Sequence, residues 1–225
     1  MAIKKFSKLV LNKASHLYYN RWANTNGQWA PGDTTCDIVE ILADTIAIEQ
    51  GDPSEETIDW EFGDTPLMKT YTKGERTVAA QCINLDFEFL RDVFGWTVHS
   101  TTGATPTQMM VAETASEEDY ATIVVMFHGA NAPIIVMPKV AMSSKTTIGT
   151  LKTQTATADL AGTALTGYVS YTDGTNTAND TSEFFILKPM AEGEIKVAEN
   201  STLTAVSIGE LVQPVQGGDW QFDEN

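Results

Sequence analysis

The chain has 225 residues, of which 42% are apolar, so it is long enough to bury the core of one large β domain or two small ones. Its 14 basic and 30 acidic residues give a formal charge of −16, which excludes the basic footprint of a protein that grips nucleic acid. No stretch approaches the ~20 apolar residues of a membrane-spanning helix and no signal-peptide pattern stands near residue 1, so we expect neither membrane association nor export.

The domain organisation follows from where hydrophobic periodicity begins. Residues 1–34 have no steady period, and we predict an irregular N-terminal arm there. Residues 35–225 are rich in short β-prone runs separated by turn residues, which indicates a single, mainly β domain. Whether residues 189–225 belong to that domain or extend from it stays open.

Large aromatic side chains stand in the predicted arm at Tyr18, Tyr19, Trp22 and Trp29. Side chains of this size need a place to be buried. Two interpretations remain open: the aromatics pack on their own domain, or Trp22 and Trp29 anchor a contact with a neighbouring subunit.

The two cysteines, Cys36 and Cys82, are predicted to be free. Without an export signal, two buried thiols are favoured over a disulfide, although a bridge stays open.

Alternating patterns predict the first strands of the domain. Ile46 and Ile48 alternate with polar or small residues, and a turn follows at residues 51–54. Residues 57–62 alternate again, which predicts a half-buried strand. The apolar face of that strand is Ile58, Trp60 and Phe62, and the acidic face carries Asp59 and Glu61.

A hairpin and one helix are predicted next. Residues 67–72 and 76–83 flank the turn Lys73-Gly74-Glu75 and are expected to pair with each other. The helix is predicted over about residues 84–95, with Asn84 as its N-cap and Gly95 as its stop. Its apolar stripe at helical spacing is expected to dock on a sheet and consists of Phe87, Leu90, Val93 and Phe94.

The later chain is predicted to be almost entirely β. Residues 98–118 are expected to form a loop with a short strand, and residues 120–127 a central strand. Residues 134–142 should pair back on it, with Pro138 marking an edge or a bulge. Further strands are predicted at residues 165–171, 182–188, 195–197 and 202–208, with a turn at residues 172–176.

Patterns that would indicate catalysis or metal binding are missing. His16, His99 and His128 are far apart in sequence and match no zinc-site spacing. Nucleophile-elbow, phosphate-loop and dinucleotide-binding signatures are absent, and the acidic clusters do not fit a calcium loop. We therefore expect a protein without enzymatic activity and without a cofactor or metal.

The run from Ile46 to Gly95 resembles the bacteriophage tail tube (major tail protein) family. The resemblance lies in a strand, the turn from Gly51, the strand Ile58-Asp59-Trp60-Glu61-Phe62, the turn from Gly63, the hairpin centred on Gly74 and the helical run from Asn84 to Gly95. The span from Ile134 to Gly167, in which a Pro-Lys step leads into a Thr-rich strand pair, is similar to the later half of such proteins.

The resemblance implies a β-sandwich with one flanking helix, whose copies form hexameric rings. Inner strands would join into one barrel across subunits, rings would stack through an arm or long loop, and an acidic lumen would conduct DNA as transient cargo. It implies a place in the virion tail after assembly in the host cytoplasm, with other copies and other tail proteins as partners.

Candidate residues for these roles follow from the resemblance and the strand pattern. The lumen-facing candidates are Glu49, Asp59 and Glu61, although these carboxylates could equally face bulk solvent. The candidates for a subunit or ring interface are Trp22, Trp29, Lys69, Tyr71, Lys73 and Arg76.

Two alternatives remain open at this point. One is another virion β-protein, such as a head decoration protein, a tail terminator or an adhesin-like sandwich. The other is an enzyme or a carbohydrate-binding module.

Overall fold

A computed structural model of the chain describes residues 14–38, 41–42, 44–58, 68–83, 86–103, 105, 107–112, 118–147, 157–214 and 218–223. Within these residues the protein is mainly β, with eighteen strands and one α-helix. The first strands are β1 (Ala14–Thr25), β2 (Gln28–Asp37), β3 (Ala47–Gln50), β4 (Ser54–Ile58), β5 (Met68–Thr72) and β6 (Arg76–Cys82). The helix α1 (Phe87–Phe94), β7 (Thr97–Ser100), β8 (Gln108–Val111), β9 (Tyr120–Phe127), β10 (Ile134–Met142) and β11 (Lys145–Thr147) follow. The last strands are β12 (Thr157–Leu165), β13 (Gly167–Thr172), β14 (Thr177–Ser182), β15 (Phe185–Leu187), β16 (Gly193–Ala198), β17 (Val206–Val212) and β18 (Gln221–Phe222).

These strands form two large antiparallel sheets and two small ones. The large sheet has nine strands in the order β2-β1-β9-β10-β12-β6-β3, with β11 paired to β12 and β15 paired to β10. The second sheet has five strands in the order β14-β13-β16-β17-β18. Two two-stranded ribbons complete the set, β4–β5 and β7–β8.

Alternation along the central strands gives the large sheet an apolar surface on both faces. In β9, Val124 and Met126 belong to one cluster of buried side chains, while Ile123 and Val125 belong to another. The first cluster, the inter-sheet core, lies between the two large sheets and comprises Tyr18, Trp22, Val124, Met126, Ile134, Val136, Val169, Ile195, Val197, Ile208, Leu211, Trp220 and Phe222. The second cluster, the helix-side core, includes Val93 of α1.

The predicted irregular arm is wrong for residues 14–34. They form β1 and most of β2, a hairpin within the nine-stranded sheet. The turn is Asn26-Gly27, with φ of 56° and 82°, and the flanking Thr25 and Gln28 are paired. Asn-Gly favours this tight turn because both residues tolerate positive φ. Residues 1–13 lie outside the described residues.

The predicted hairpin over residues 67–83 is also wrong. β5 pairs with β4, whereas β6 pairs with β3 and β12. Gly74 leaves no room for a free turn, because a Cβ there would lie 1.9 Å from the carbonyl oxygen of Gly51. The backbone N–H of Gly51 donates to the carbonyl of Glu75 at 2.8 Å, so the chain passes from the ribbon into the large sheet at this point.

The helix begins later than predicted. Its N-cap is Asp86, whose carboxylate accepts the N–H of Phe89 at 2.7 Å, and not Asn84, which lies outside the described residues. Gly95 ends the helix in the left-handed conformation, as predicted. Leu90 and Val93 are buried as predicted, but Phe87 is 40% exposed.

Phe94 is half-buried, and Phe89, absent from the predicted stripe, packs against it with ring centroids 5.8 Å apart. The ring of Tyr19 reaches the helix from β1, where its hydroxyl donates to the carbonyl of Val93 at 3.2 Å.

Several strands differ in extent from the predictions. Of the strand predicted at residues 57–62, only Thr57 and Ile58 are described, and they are the last two residues of β4. Residues 59–67 lie outside the described residues. Residues 98–118 contain a hairpin, β7–β8, and not a loop with a single strand. Of the strand predicted at residues 182–188, Phe185–Leu187 form β15, whereas Ser182 is the last residue of β14, which belongs to the other large sheet.

The central predictions are confirmed. β9 and β10 have the predicted bounds and pair with each other, and β10 shows a register shift between Met137 and Val140, the bulge that Pro138 indicated. Cys36 and Cys82 are free, with Cys82 buried and Cys36 half-buried. The described residues beyond 189 contribute β16, β17 and β18 to the five-stranded sheet, so they are part of the sandwich.

Candidate assembly surface

Each end of the nine-stranded sheet carries a strand with one neighbour. Among the described residues, β2 pairs with β1 alone, and at the other end β3 pairs with β6 alone. Such edges offer unpaired backbone groups to another chain, and proteins usually guard them. β2 carries Pro31, and its register with β1 shifts between Asn20 and Trp22, which blunts pairing over that part of the edge.

A buried amide fixes the shape of the β2 edge. Asn20 is 1% exposed, and its Nδ2 lies 3.0 Å from the carbonyl of Gly32, 3.1 Å from that of Thr34 and 3.0 Å from Thr35 Oγ1. Thr35 Oγ1 donates to the carbonyl of Ile208 in the five-stranded sheet at 2.6 Å. Because buried amides need their hydrogen bonds, this network holds the edge strand against the second sheet.

A second polar network ties the sheets together beneath the edge. Trp22 Nε1 donates to Thr122 Oγ1 at 2.8 Å, and that hydroxyl donates to the carbonyl of Pro138 at 2.7 Å. Lys139 is 7% exposed, its Nζ lies 2.6 Å from Glu199 Oε1, and it stands 4.2 Å from the ring centroid of Tyr120. A buried ammonium is tolerated because a carboxylate and aromatic faces surround it.

The β4–β5 ribbon stands apart from both large sheets. Its five residue pairs run from Ser54–Thr72 to Ile58–Met68, and within the described residues it has no third strand. A two-stranded sheet is marginal alone in water. Tyr71 on this ribbon is 64% exposed, and Lys69 pairs with Glu55 across the strands.

The base of the ribbon is held by a cluster of charges. Lys73 pairs with Glu183, and Arg76 Nε lies 3.5 Å from the same carboxylate. The Arg76 guanidinium stacks 4.4 Å from the ring centroid of Phe184 and donates to Gln50 Oε1 at 3.1 Å. Lys73 and Arg76, proposed from sequence as interface cations, therefore have acidic partners within the chain.

The other candidates for the interface and lumen are scattered. Trp22 is 3% exposed within its own chain, so it is unavailable to a neighbouring subunit. Trp29 is half-buried, edge-on to Tyr120 with ring centroids 4.9 Å apart. Glu49 is exposed on the edge strand β3, opposite Thr77. Asp59 and Glu61 lie outside the described residues.

An acidic cleft of about 510 Å³ lies at the β2 edge, and no pattern in the sequence predicted it. It lies where β2 meets β17 and β18, and its charged lining residues are Asp33, Asp37 and Asp223. His16 Nδ1 lies 2.7 Å from Asp37 Oδ2, and the His16 ring stacks on Tyr18. Asp33 and Asp223 are 190 positions apart in the chain, and the packing of the two large sheets brings them together.

A second histidine–aspartate contact fastens the C-terminal strand. Asp219 Oδ2 lies 2.5 Å from His128 Nδ1, and Asp219 Oδ1 accepts the N–H of Gly129 at 2.5 Å. The Gly129 N–H and then His128 hold the pKa of Asp219 below its ordinary range, against the opposing effect of partial burial. Trp220 next to it donates from Nε1 to the carbonyl of Ala130 at 3.0 Å.

The cysteines offer no reactive thiolate. Burial, with a smaller effect of Asp92, raises the pKa of Cys36 to about 11, and burial with Asp159 raises that of Cys82 to about 12. Both thiols stay protonated at neutral pH, which removes the nucleophilic and metal-binding form. Across the described ranges, no three His, Cys, Asp or Glu side chains come together as a metal site. No helix in the described part of the chain is long and apolar enough to cross a membrane.

Comparisons with known proteins give little. No protein-family model and no curated protein matches the chain. A solved structure of the anti-feeding prophage (AFP) baseplate, determined by cryo-EM with 6-fold symmetry, is similar over 81% of this chain and 98% of that chain, with 9% identity and a TM-score of 0.34. A similarity of this size assigns neither the fold nor the function of the chain.

Proposed function

We propose that the chain is a virion structural protein without enzymatic activity, a tail tube subunit that assembles with other copies into stacked rings. The observation that carries the proposal is the nine-stranded sheet, whose end strands β2 and β3 each have a single neighbour among the described residues. Joining β2 of one copy, outside the part blunted by Pro31, to β3 of the next would pair both edges at once. When this head-to-tail contact is repeated around an axis, it closes a ring if a whole number of subunits completes one full turn.

The charge supports a passage for DNA. Six copies at −16 each would carry about −96 before counterions screen the field over ~8–10 Å. A wall of one negative sign repels phosphate, so DNA would slide along the wall without binding it. Glu49 on the exposed end of β3, with Asp59 and Glu61, remains our proposal for part of that wall.

The ribbon β4–β5 supports the stacking of rings. It extends from the large sheet with one exposed tyrosine, and a partner that covers Tyr71 would bury apolar surface that the described part of the chain leaves open. In the proposal, that partner is the adjacent ring, with Lys69 at the periphery of the contact.

Negative-stain electron microscopy of the purified chain tests the proposal. We expect rings, or tubes built from stacked rings, at high protein concentration. Light scattering that gives a monomer at the highest soluble concentration, with no rings on the grid, would rule the proposal out in favour of a monomeric virion protein.

The lumen assignment has its own test. The double variant Asp59→Lys and Glu61→Lys in a virus that encodes this chain should leave tubes intact but impair DNA delivery. The charge-matched control is Asp52→Lys with Glu75→Lys, on loops that the structure shows exposed. Normal infectivity of the first double variant would remove these two residues from the lumen.

A further inference from the structure

The β4–β5 ribbon joins the nine-stranded sheet through two connections that touch each other. Residues 51–53 lead from β3 into β4, and residues 73–75 lead from β5 into β6. The N–H of Gly51 donates to the carbonyl of Glu75 at 2.8 Å, and a Cβ on Gly74 would lie 1.9 Å from the carbonyl oxygen of Gly51. The missing side chain of Gly74 therefore lets the two backbones meet at the base of the ribbon.

Arg76, the first residue of β6, ties one connection to the other. It stands opposite Gln50, the last residue of β3, and its Nη2 donates to Gln50 Oε1 at 3.1 Å. The guanidinium also lies over the ring of Phe184, with Cζ 4.4 Å from the ring centroid. Because Phe184 packs against the helix-side core, Arg76 links both connections of the ribbon to the interior of the sandwich.

Glu183 completes this cluster from a distant part of the chain. It lies with Phe184 between β14 and β15, where the chain passes from the five-stranded sheet to the nine-stranded sheet. Its Oε1 accepts from Lys73 Nζ and lies 3.5 Å from Arg76 Nε. The side chains of Glu183 and Arg76 are only 22% and 24% exposed, so water screens their attraction less than that of a fully exposed pair.

The ribbon depends on such a connection because two paired strands are marginal in water by themselves. Pairing β4 with β5 costs less conformational entropy when the ends of both strands are already held together. The Lys69–Glu55 ion pair links the two strands to each other. The Glu183 cluster instead links the base of the ribbon to the place where the two large sheets are joined.

We propose that Glu183 clamps the β4–β5 ribbon to the junction of the two large sheets. Its carboxylate holds Lys73 and Arg76 at one point, Arg76 holds both connections, and the strands of the ribbon stay paired because their ends are fixed. A ribbon held in this way loses less conformational entropy when a partner covers Tyr71. The proposal concerns the single chain and does not depend on ring formation.

Hydrogen–deuterium exchange of the full chain, measured by mass spectrometry at low protein concentration, tests the clamp. Glu183→Gln keeps the size of the side chain and removes its charge. We expect the amides of β4 and β5 to exchange about threefold to tenfold faster in this variant, from the loss of a partly exposed ion-pair network. Unchanged exchange in the ribbon would overturn the proposal.

Glu194→Gln is the matched control. Glu194 forms an ion pair with Lys196 on β16, within the five-stranded sheet, with the two side chains 37% and 41% exposed. Its loss leaves the base of the ribbon untouched, so the exchange of β4 and β5 should stay as in the unmodified chain. Equal acceleration of these amides in both variants would show that the ribbon opens with the whole fold and not at the clamp, which would also overturn the proposal.

A double variant shows whether Glu183 acts through Lys73. Lys73→Gln already breaks this ion pair, so adding Glu183→Gln should accelerate exchange in the ribbon less than it does in the unmodified chain. Both changes leave the Arg76 side chain in place. The same acceleration in the two backgrounds would mean that the carboxylate does not hold Lys73, and the clamp would be refuted.

Discussion

The inter-sheet core and the β4–β5 ribbon are both built from antiparallel strand pairs, yet only the core buries side chains between two layers. In the core, Val197 and Leu211 of the five-stranded sheet are fully buried against the nine-stranded sheet. In the ribbon, Tyr71 is 64% exposed and the strands have no second layer among the described residues. The difference indicates that the core carries the stability of the fold, and that the ribbon is available for contact with a partner.

The largest expected effect is at the C-terminal end of the core. Trp220 is 3% exposed and fills the end of the inter-sheet core. Trp220→Ala should lower the free energy of unfolding by about 3–5 kcal/mol, because it opens a cavity and leaves the carbonyl of Ala130 without its indole donor. Urea denaturation followed by circular dichroism measures this loss.

Trp29→Ala is the matched control for that prediction. Trp29 is half-buried on the rim of the same core, so truncating it should cost clearly less than truncating Trp220. If the two variants unfolded at the same urea concentration, the C-terminal strand would not be an integral part of the core.

The helix offers the next comparison, within a single element. Leu90 is 7% exposed, whereas Phe87, on the first turn of the same helix, is 40% exposed. Leu90→Ala should cost about 2–5 kcal/mol. Phe87→Ala should cost clearly less, about 1 kcal/mol, since two fifths of the Phe87 surface is already exposed in the folded chain. Equal losses, measured by the same denaturation, would contradict the assignment of the buried face.

Local patterns in the sequence predicted the strands that bury both faces. β9 is a continuous β-prone run, and its bounds and its pairing with β10 followed from that run and the turn after it. Gly95 marked the helix end because a left-handed residue is needed there. Asn26-Gly27 is a hairpin signal of the same kind, and it outweighs the missing hydrophobic period of residues 14–34.

Pairings between distant segments could not be predicted in the same way. The run from Met68 to Thr72 fits a hairpin with Arg76–Cys82 as well as the observed pairing with Ser54–Ile58. In the fold, Arg76–Cys82 pairs with β3 and β12 instead. The acidic cleft depends on β2 meeting β17, about 170 residues later. No short-range pattern records such a contact, because the residues share no local period.

A smaller effect is expected where the C-terminal strand meets the β9–β10 turn. The folded state holds the pKa of Asp219 below its ordinary value, so this carboxylate stabilises the fold above about pH 4 and the contribution is lost as pH falls through the lowered pKa. Asp219→Asn should cost about 1 kcal/mol between pH 5 and 7. The two unfolding curves should converge once the pH is below the lowered pKa of Asp219; a difference that persisted in acid would show that the loss is not electrostatic.

The smallest effect on stability, and the sharpest test of the comparison, is expected on the ribbon. Tyr71→Ser removes an exposed ring, so the free energy of unfolding should change by no more than about 0.5 kcal/mol.

If the ribbon is a contact between copies, the same change should raise the protein concentration needed for assembly about tenfold or more, since exposed aromatics are frequent anchors of interfaces. Sedimentation velocity over a concentration series measures this, with Thr70→Ser on the opposite face of the same strand as control. Unaltered assembly with unaltered stability would mean that Tyr71 serves neither the fold nor the contact, and the ribbon would then lose its proposed role in stacking.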